Sequence, residues 1–295
     1  MGVIVSALFT LLVLGLGTLL TLALERAMPR AQAEAAPNTR APALPGADRL
    51  LHPAGPFSAL LGVTLAAAVI PFGPRLIGSD LTIGVFYFIV VVDFVVLGVA
   101  LSGWGANTRG AVDSFYRITA QLVSYVIPLG LALVGAIMMA RSLSTVSIVQ
   151  AQRGAWFVLL QPLGFALYLV TGLMQAYRAP FAEAFSPFIQ GGVQGTGSSW
   201  AAWVWRAALA GLLFVVAAMG ALLFLGGWLG PALPGPVWML LKTLALVALM
   251  LWLGRRVKPL STAQMLQLSW RVLIPAGLVN VLLVGGLILL GVGPK

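Results

Sequence analysis

Apolar residues run in long, nearly unbroken blocks along this chain, and polar residues gather in the stretches between them. Eight blocks stand out, at roughly 3–24, 57–73, 81–104, 117–140, 155–175, 201–226, 236–254 and 272–292. A hydrocarbon core about 30 Å thick needs about 20 helical residues to cross it, so each block predicts a transmembrane helix. Alternation of apolar and polar residues is absent, which argues against a β-barrel. Helices are the other way to satisfy backbone polar groups in lipid. The pattern therefore predicts an all-α, polytopic integral membrane protein with about eight transmembrane helices. It forms a single membrane domain over residues 1–295, with four loops on one face at about 25–56, 105–116, 176–200 and 255–271.

Composition agrees with the pattern. Sixty per cent of residues are hydrophobic, only 8% are charged, and the mean hydropathy is +1.03. Soluble domains run near 25% charged, so no sizeable soluble domain is left over. The net charge of +10 is spread between the blocks and reads as a topology marker, not as a nucleic-acid surface. Loops after the odd-numbered blocks hold twelve basic residues: Arg26, Arg30, Arg40, Arg49, Arg109, Arg117, Arg178, Arg206, Arg255, Arg256, Lys258 and Arg271. The opposite side holds four, Arg75, Arg141, Arg153 and Lys295. Basic residues accumulate on the cytoplasmic side, so the odd loops are expected in the cytoplasm and both termini outside. Ala31-Gln32-Ala33 resembles a signal-peptide cleavage site, but no positive charge precedes the first block and its length exceeds a signal h-region. A retained helix is expected. With no cysteine, disulfides and iron–sulfur ligation are ruled out, and the single histidine, His52, has only Asp48 nearby. No metal site is expected.

Two loops and a few ionisable residues carry the candidate chemistry. The stretch from Glu25 to Pro56 contains six prolines, which prevents one continuous helix; it reads equally as a flexible linker or as a surface that docks a soluble partner. The stretch from Tyr177 to Ser199 is rich in Gly, Ser and Phe. Charges within spans are costly and mark function by default. Asp93 lies in the middle of the third block, and Lys242 about two turns into the seventh. The two could pair, or each could be buried against backbone carbonyls and hydroxyls. Arg117 and Arg178 fall at block ends, where snorkelling is the ordinary reading. Trp104, Trp156, Trp200, Trp228 and Trp238 also cluster near block ends, as in an interface belt. No internal repeat is evident.

Ordered short motifs add a resemblance. Ile70-Pro71-Phe72-Gly73-Pro74, Asp80-Leu81-Thr82-Ile83-Gly84, Ser102-Gly103-Trp104-Gly105-Ala106-Asn107 and Gln121-Leu122-Val123-Ser124-Tyr125 are followed by Gln161-Pro162-Leu163-Gly164-Phe165 and Arg178-Ala179-Pro180-Phe181. Leu225-Gly226-Gly227-Trp228, Leu241-Lys242-Thr243 and Trp270-Arg271-Val272-Leu273-Ile274-Pro275 complete the series. In order and spacing these nine resemble the membrane "heel" component, or H subunit, of the proton-translocating NADH:quinone oxidoreductase, respiratory complex I, over nearly the whole chain. The resemblance implies a component of a bacterial cytoplasmic (inner) membrane complex that joins the membrane arm to the hydrophilic arm and shapes a quinone chamber. It implies other membrane-arm subunits and soluble iron–sulfur and quinone-site subunits as partners, with the iron–sulfur clusters in those partners and no cofactor bound by this chain beyond quinone. Quinone-cavity candidates are Arg26, Gln175, Arg178 and Phe181. Asp93, Lys242 and Arg117 are candidate intramembrane charges, and Arg40, Arg178 and Glu183 candidate docking residues.

The chain departs from that family in its acids. It has seven Asp and Glu in all. Where the family has glutamates in spans four and five, this chain has Val126 and Gln175; Phe185 falls within a family acidic run, and Ala263 replaces an aspartate. Carboxylates hold and release protons in a relay, and these residues do not. The expected role is an anchoring, cavity-forming component with diminished proton coupling of its own. The equivalent component of a membrane-bound hydrogenase or of a ferredoxin- or formate-linked complex is an alternative, as is a stand-alone transporter or scaffold.

Overall fold

The computed structural model describes residues 2–28, 46–74, 76–182, 199–291 and 293. Among the described residues twelve α-helices follow one another: α1 (Gly2–Ala27), α2 (Leu51–Ala68), α3 (Gly84–Val92), α4 (Phe94–Gly105), α5 (Arg109–Ala140), α6 (Thr145–Ala151), α7 (Phe157–Leu160), α8 (Pro162–Gln175), α9 (Ser199–Phe224), α10 (Gly235–Arg256), α11 (Thr262–Leu268) and α12 (Ile274–Leu289). Among the described residues seven stretches are long and apolar enough to cross a membrane, and α8 is a shorter apolar helix. The chain is an all-α, multi-pass membrane protein. α9 is apolar on every side and buried on nearly every side, as such a helix must be. It is the central post, with α1, α2, α8 and α10 packed around it.

Helix boundaries follow local chemistry that the hydropathy blocks blur. α2 starts at Leu51, inside the stretch expected to be loop, because Asp48 Oδ1 accepts from the amides of Leu50 and Leu51, both at 2.8 Å. Those two amides, Leu51 foremost, hold the Asp48 carboxyl below the usual carboxylate range. The cap is therefore intact at neutral pH and is lost only as pH falls through that lowered value. α5 begins at Arg109 behind a Thr108 cap, so its first two turns extend beyond the expected block. α11 opens on a reciprocal Ser261–Gln264 capping box within the expected last loop, and it runs through a π-helical turn, Ser269–Leu273, into α12.

Two expected spans are broken. The third breaks at Asp93, which ends α3 and starts α4. The fifth breaks at Gln161, between α7 and α8, because Pro162 has no N–H and pushes the residue before it out of helical geometry; Gln161 sits at φ −138°, ψ 65°. α8 then covers only 14 residues, about 21 Å. Small residues let α2 and α4 pack backbone to backbone: Gly55 of α2 lies against Gly98 and Ser102, and Ser58 Oγ donates to the Phe94 carbonyl at 3.1 Å. A Cβ on Gly62 would sit 2.6 Å from the Val91 carbonyl oxygen. Close approach through small residues is the usual means of helix packing in lipid.

Candidate functional site at the ends of α1 and α8

α8 ends in a turn that uses the wrong residue for its backbone. The Arg178 amide donates to Leu173 O and the Tyr177 amide to Met174 O, both at 3.2 Å. This double bond pattern normally places glycine at the left-handed position, yet Tyr177 occupies it, at φ +50°. An L-residue there costs about 1–2 kcal/mol, and such strain concentrates where a side chain is needed. The ring is buried at 4% exposure, and its hydroxyl meets that of Tyr125 on α5. Burial pushes the Tyr177 phenol above its ordinary value, so at neutral pH it keeps its proton. Tyr125 in turn donates to Asp93 Oδ1 at 3.2 Å. The break in the third span and the end of α8 are thus joined by a string of side chains, Asp93–Tyr125–Tyr177. Gln121, one turn before Tyr125, donates to the Met174 carbonyl at 2.6 Å.

Arg178 does not reach into solvent. Its guanidinium pairs with Glu25 of α1 at 2.7 Å, and the two side chains are 12% and 8% exposed. The pair ties the end of α8 to the end of α1. One turn deeper on each helix lies a buried polar group without a partner among the described residues: Thr21 Oγ1 on α1 and both amide atoms of Gln175 on α8, with Arg178 Nε beside the pair. Buried polar atoms in folded proteins are nearly always satisfied. Arg178 Nε–H, the Thr21 hydroxyl and the Gln175 NH2 group all donate, and the Gln175 carbonyl accepts. Such a set suits a ligand that offers carbonyl oxygens. Phe181, buried at 4% exposure, supplies an apolar wall in the same turn.

The other candidates are placed as follows. Arg26, next to Glu25 on α1, is exposed and points about 100° around the helix from it. Arg117 pairs with Asp113 at 2.7 Å, one turn away along α5, with Arg117 half-buried and Asp113 exposed. Val126 is half-buried and apolar. Arg40, Glu183 and Phe185 lie outside the described residues. Lys242 and Asp93 have separate surroundings. The Lys242 ammonium donates to the carbonyls of Leu225, Gly227 and Leu229 at 2.6, 3.0 and 2.6 Å. It also lies over the rings of Trp156 and Trp238, 4.3 and 5.6 Å from their centroids. All three of its protons are used. The turn it closes carries Gly226 and Gly227 at φ +70° and +50°, and Gln152 Oε1 accepts from the Gly226 amide at 2.9 Å. The Leu225–Trp228 motif is therefore a backbone turn built around a buried cation.

Sequence reasoning overlooked Glu25, Thr21, Tyr125 and Tyr177. Thr21 and Glu25 sit four apart on α1 and so share a face, a signal open to inspection. Tyr125 closes one of the ordered motifs without an assigned role. Nothing in the sequence marks Tyr177, because its left-handed backbone is a tertiary outcome.

Comparison with known proteins adds to this geometry. The family model described as NADH dehydrogenase matches residues 39–285. The H subunit numbered 1 of the NADH-quinone oxidoreductase of Rhodopseudomonas palustris (strain HaA2) is 37% identical over 243 residues, covering 81% of this chain and 76% of that one. The H subunit of the same enzyme in Geobacillus kaustophilus is 34% identical over 244 residues, 80% of this chain and 73% of that one. The H subunit numbered 1 in Geobacter metallireducens is 36% identical over 265 residues, 83% and 78% of the two chains.

Proposed function

We propose a function from the premise that this chain belongs to the NADH dehydrogenase family, as a relative of the H subunits of NADH-quinone oxidoreductases. Membership places it in a multi-subunit NADH-quinone oxidoreductase. Within that assembly it anchors the hydrophilic redox arm and forms the membrane side of a quinone-accessible cavity. Other membrane-arm subunits flank it, and soluble iron–sulfur and quinone-site subunits sit on its Arg-rich, cytoplasmic face. The carrying observation is the group of donors around the Arg178–Glu25 pair. Gln175, Thr21 and Arg178 Nε offer hydrogen bonds that nothing among the described residues takes, and the two carbonyls of a quinone head would accept them. The chain supplies shape and polarity, and partner clusters supply the electrons. Its own share in moving protons is reduced, since Val126 and Gln175 stand where the family carries acids.

The test starts from the intact complex purified by a tag on this chain. Iron–sulfur subunits and quinone reductase activity are expected to come with it; recovery of the chain alone would sink the reading. Gln175→Leu should then raise the KM for a short-chain quinone severalfold while electron transfer to an artificial acceptor stays unchanged. Breaking the buried pair with Glu25→Gln should also loosen the end of α8, since an unpaired buried arginine costs about 3–5 kcal/mol. An unaltered quinone KM in Gln175→Leu would leave the anchoring role but remove the cavity from this part of the chain.

A further inference from the structure

Away from the Arg178–Glu25 region, a second group of polar atoms is enclosed within the bundle, where α5, α8 and α12 meet. Gln161 stands at the break before α8 and is 2% exposed; Asn280 projects from α12 and is 1% exposed. Both amide atoms of Gln161 and the Nδ2 of Asn280 have no partner among the described residues. They converge: a Cβ on Gly164 would lie 3.0 and 3.1 Å from the Asn280 amide atoms and 3.1 Å from Gln161 Oε1. A Cβ on Gly135 of α5 would lie 2.8 Å from Asn280 Nδ2 and closer still to Gln161 Oε1. Two glycines on facing helices thus admit the carboxamide ends of Gln161 and Asn280 to one place.

The backbone adds donors there. Pro162 opens α8 without an N–H, and no side chain caps the helix. The first amide of α8 to find a backbone acceptor is that of Phe165, which donates to Gln161 O at 3.1 Å. Leu163 and Gly164 N–H are therefore among the orphan donors of a helix start, and Gly164 is buried.

We propose that Gln161, Asn280 and the first amides of α8 form an internal hydration site that holds ordered water within the membrane region. No Asp, Glu, His, Lys or Arg lies within four positions of Gln161, Asn280, Gly135 or Gly164 in the sequence. The ligand must be neutral and must both donate and accept, because carboxamides offer both functions and helix amides only donate. Water meets those terms, and buried waters make about three hydrogen bonds to otherwise unsatisfied groups. Water is also among the groups that satisfy the freed backbone of a proline-broken helix inside a membrane. The glycines serve the same site, since a methyl at either position would press on the two carboxamides that hold the solvent molecule.

A map of the intact complex, at a resolution that resolves ordered water, tests the proposal. One or more peaks are expected within hydrogen-bonding distance of the Gln161 and Asn280 amides and of the Leu163 or Gly164 nitrogen. A direct bond between the two carboxamides with no peak between them would overturn it, as would an acyl chain or quinone tail threading the site. Hydrogen exchange gives a second readout. The α8 first-turn amides are expected to exchange faster than those of residues 167–174, and Asn280→Leu should slow them severalfold by filling the site. Equal protection along α8 in the unsubstituted protein would count against internal water. Should Asn280→Leu fail to assemble, the map and the exchange of the unsubstituted complex decide the matter.

Discussion

Among single residues, Lys242 shows how a functional-looking charge is neutralised by structure. A charge inside a membrane suggests a relay, and the sequence marks it clearly. The partners that settle its role come from residues 225–229 and from Trp156, well away along the chain, so the sequence alone left pairing with Asp93 open. With three carbonyls and two indole rings around it, its work is to hold the turn after α9. Lys242→Met should therefore destabilise the purified protein by about 1–3 kcal/mol, the cost of leaving buried acceptors unsatisfied. Thermal unfolding followed by tryptophan fluorescence would show it, and an unshifted midpoint would refute the cage. Lys242→Arg should rescue poorly, because a planar fork does not reproduce three divergent donors. Tyr177 is the reverse case. It is an ordinary residue in the sequence, yet its buried phenol and left-handed backbone place it at the centre of the site.

At the level of helices, hydropathy located the membrane crossings but not their breaks or their ends. Caps at Asp48, Thr108 and Ser261 extend helices into stretches that read as loop, because one side chain on an amide outweighs a local drop in apolar character. The break at Gln161 was legible in Pro162. That at Asp93 was not, since no proline or glycine lies between Gly84 and Gly98. Both breaks carry a buried or half-buried polar residue, Asp93 or Gln161, so the interruptions coincide with places where polar chemistry enters the bilayer. The α2–α4 contact depends on missing side chains in the same way. Gly62→Leu would drive a side chain into Phe94 at the start of α4 and into the Val91 carbonyl just before it. We expect loss of assembly in cells, whereas Gly286→Leu, where a Cβ meets nothing within 4 Å, should assemble normally. Equal yields of the two variants would show that α2 and α4 are not locked together.

For the molecule as a whole, topology and proton economy are linked. From the charge bias we expect the end that carries Arg178 to face the cytoplasm. Ser261→Cys should then react with an impermeant thiol reagent only in opened cells, and Leu233→Cys in intact ones; the opposite pattern would invert the orientation. With that orientation, the Asp93–Tyr125–Tyr177 string connects the middle of the third span to the cytoplasmic end of α8. We expect it to give Asp93 access to protons from one side. Onward transfer needs another titratable group at short range. Among the described residues the remaining acids, Glu25, Asp48, Asp80 and Asp113, lie at or beyond helix ends, and Val126 offers only a hydrocarbon next to Tyr125. We therefore read the string as a spur that loads a proton, with no carboxylate beyond it among the described residues. Asp93→Asn should therefore leave electron transfer largely intact and change the protons moved per electron pair little, measured in vesicles containing the reconstituted complex. Tyr177→Phe should behave alike, since it cuts the same spur. A collapse of proton transfer at preserved electron transfer in Asp93→Asn would mean that water or a neighbouring subunit completes the path beyond Asp93, and this chain would then be a working part of the pump.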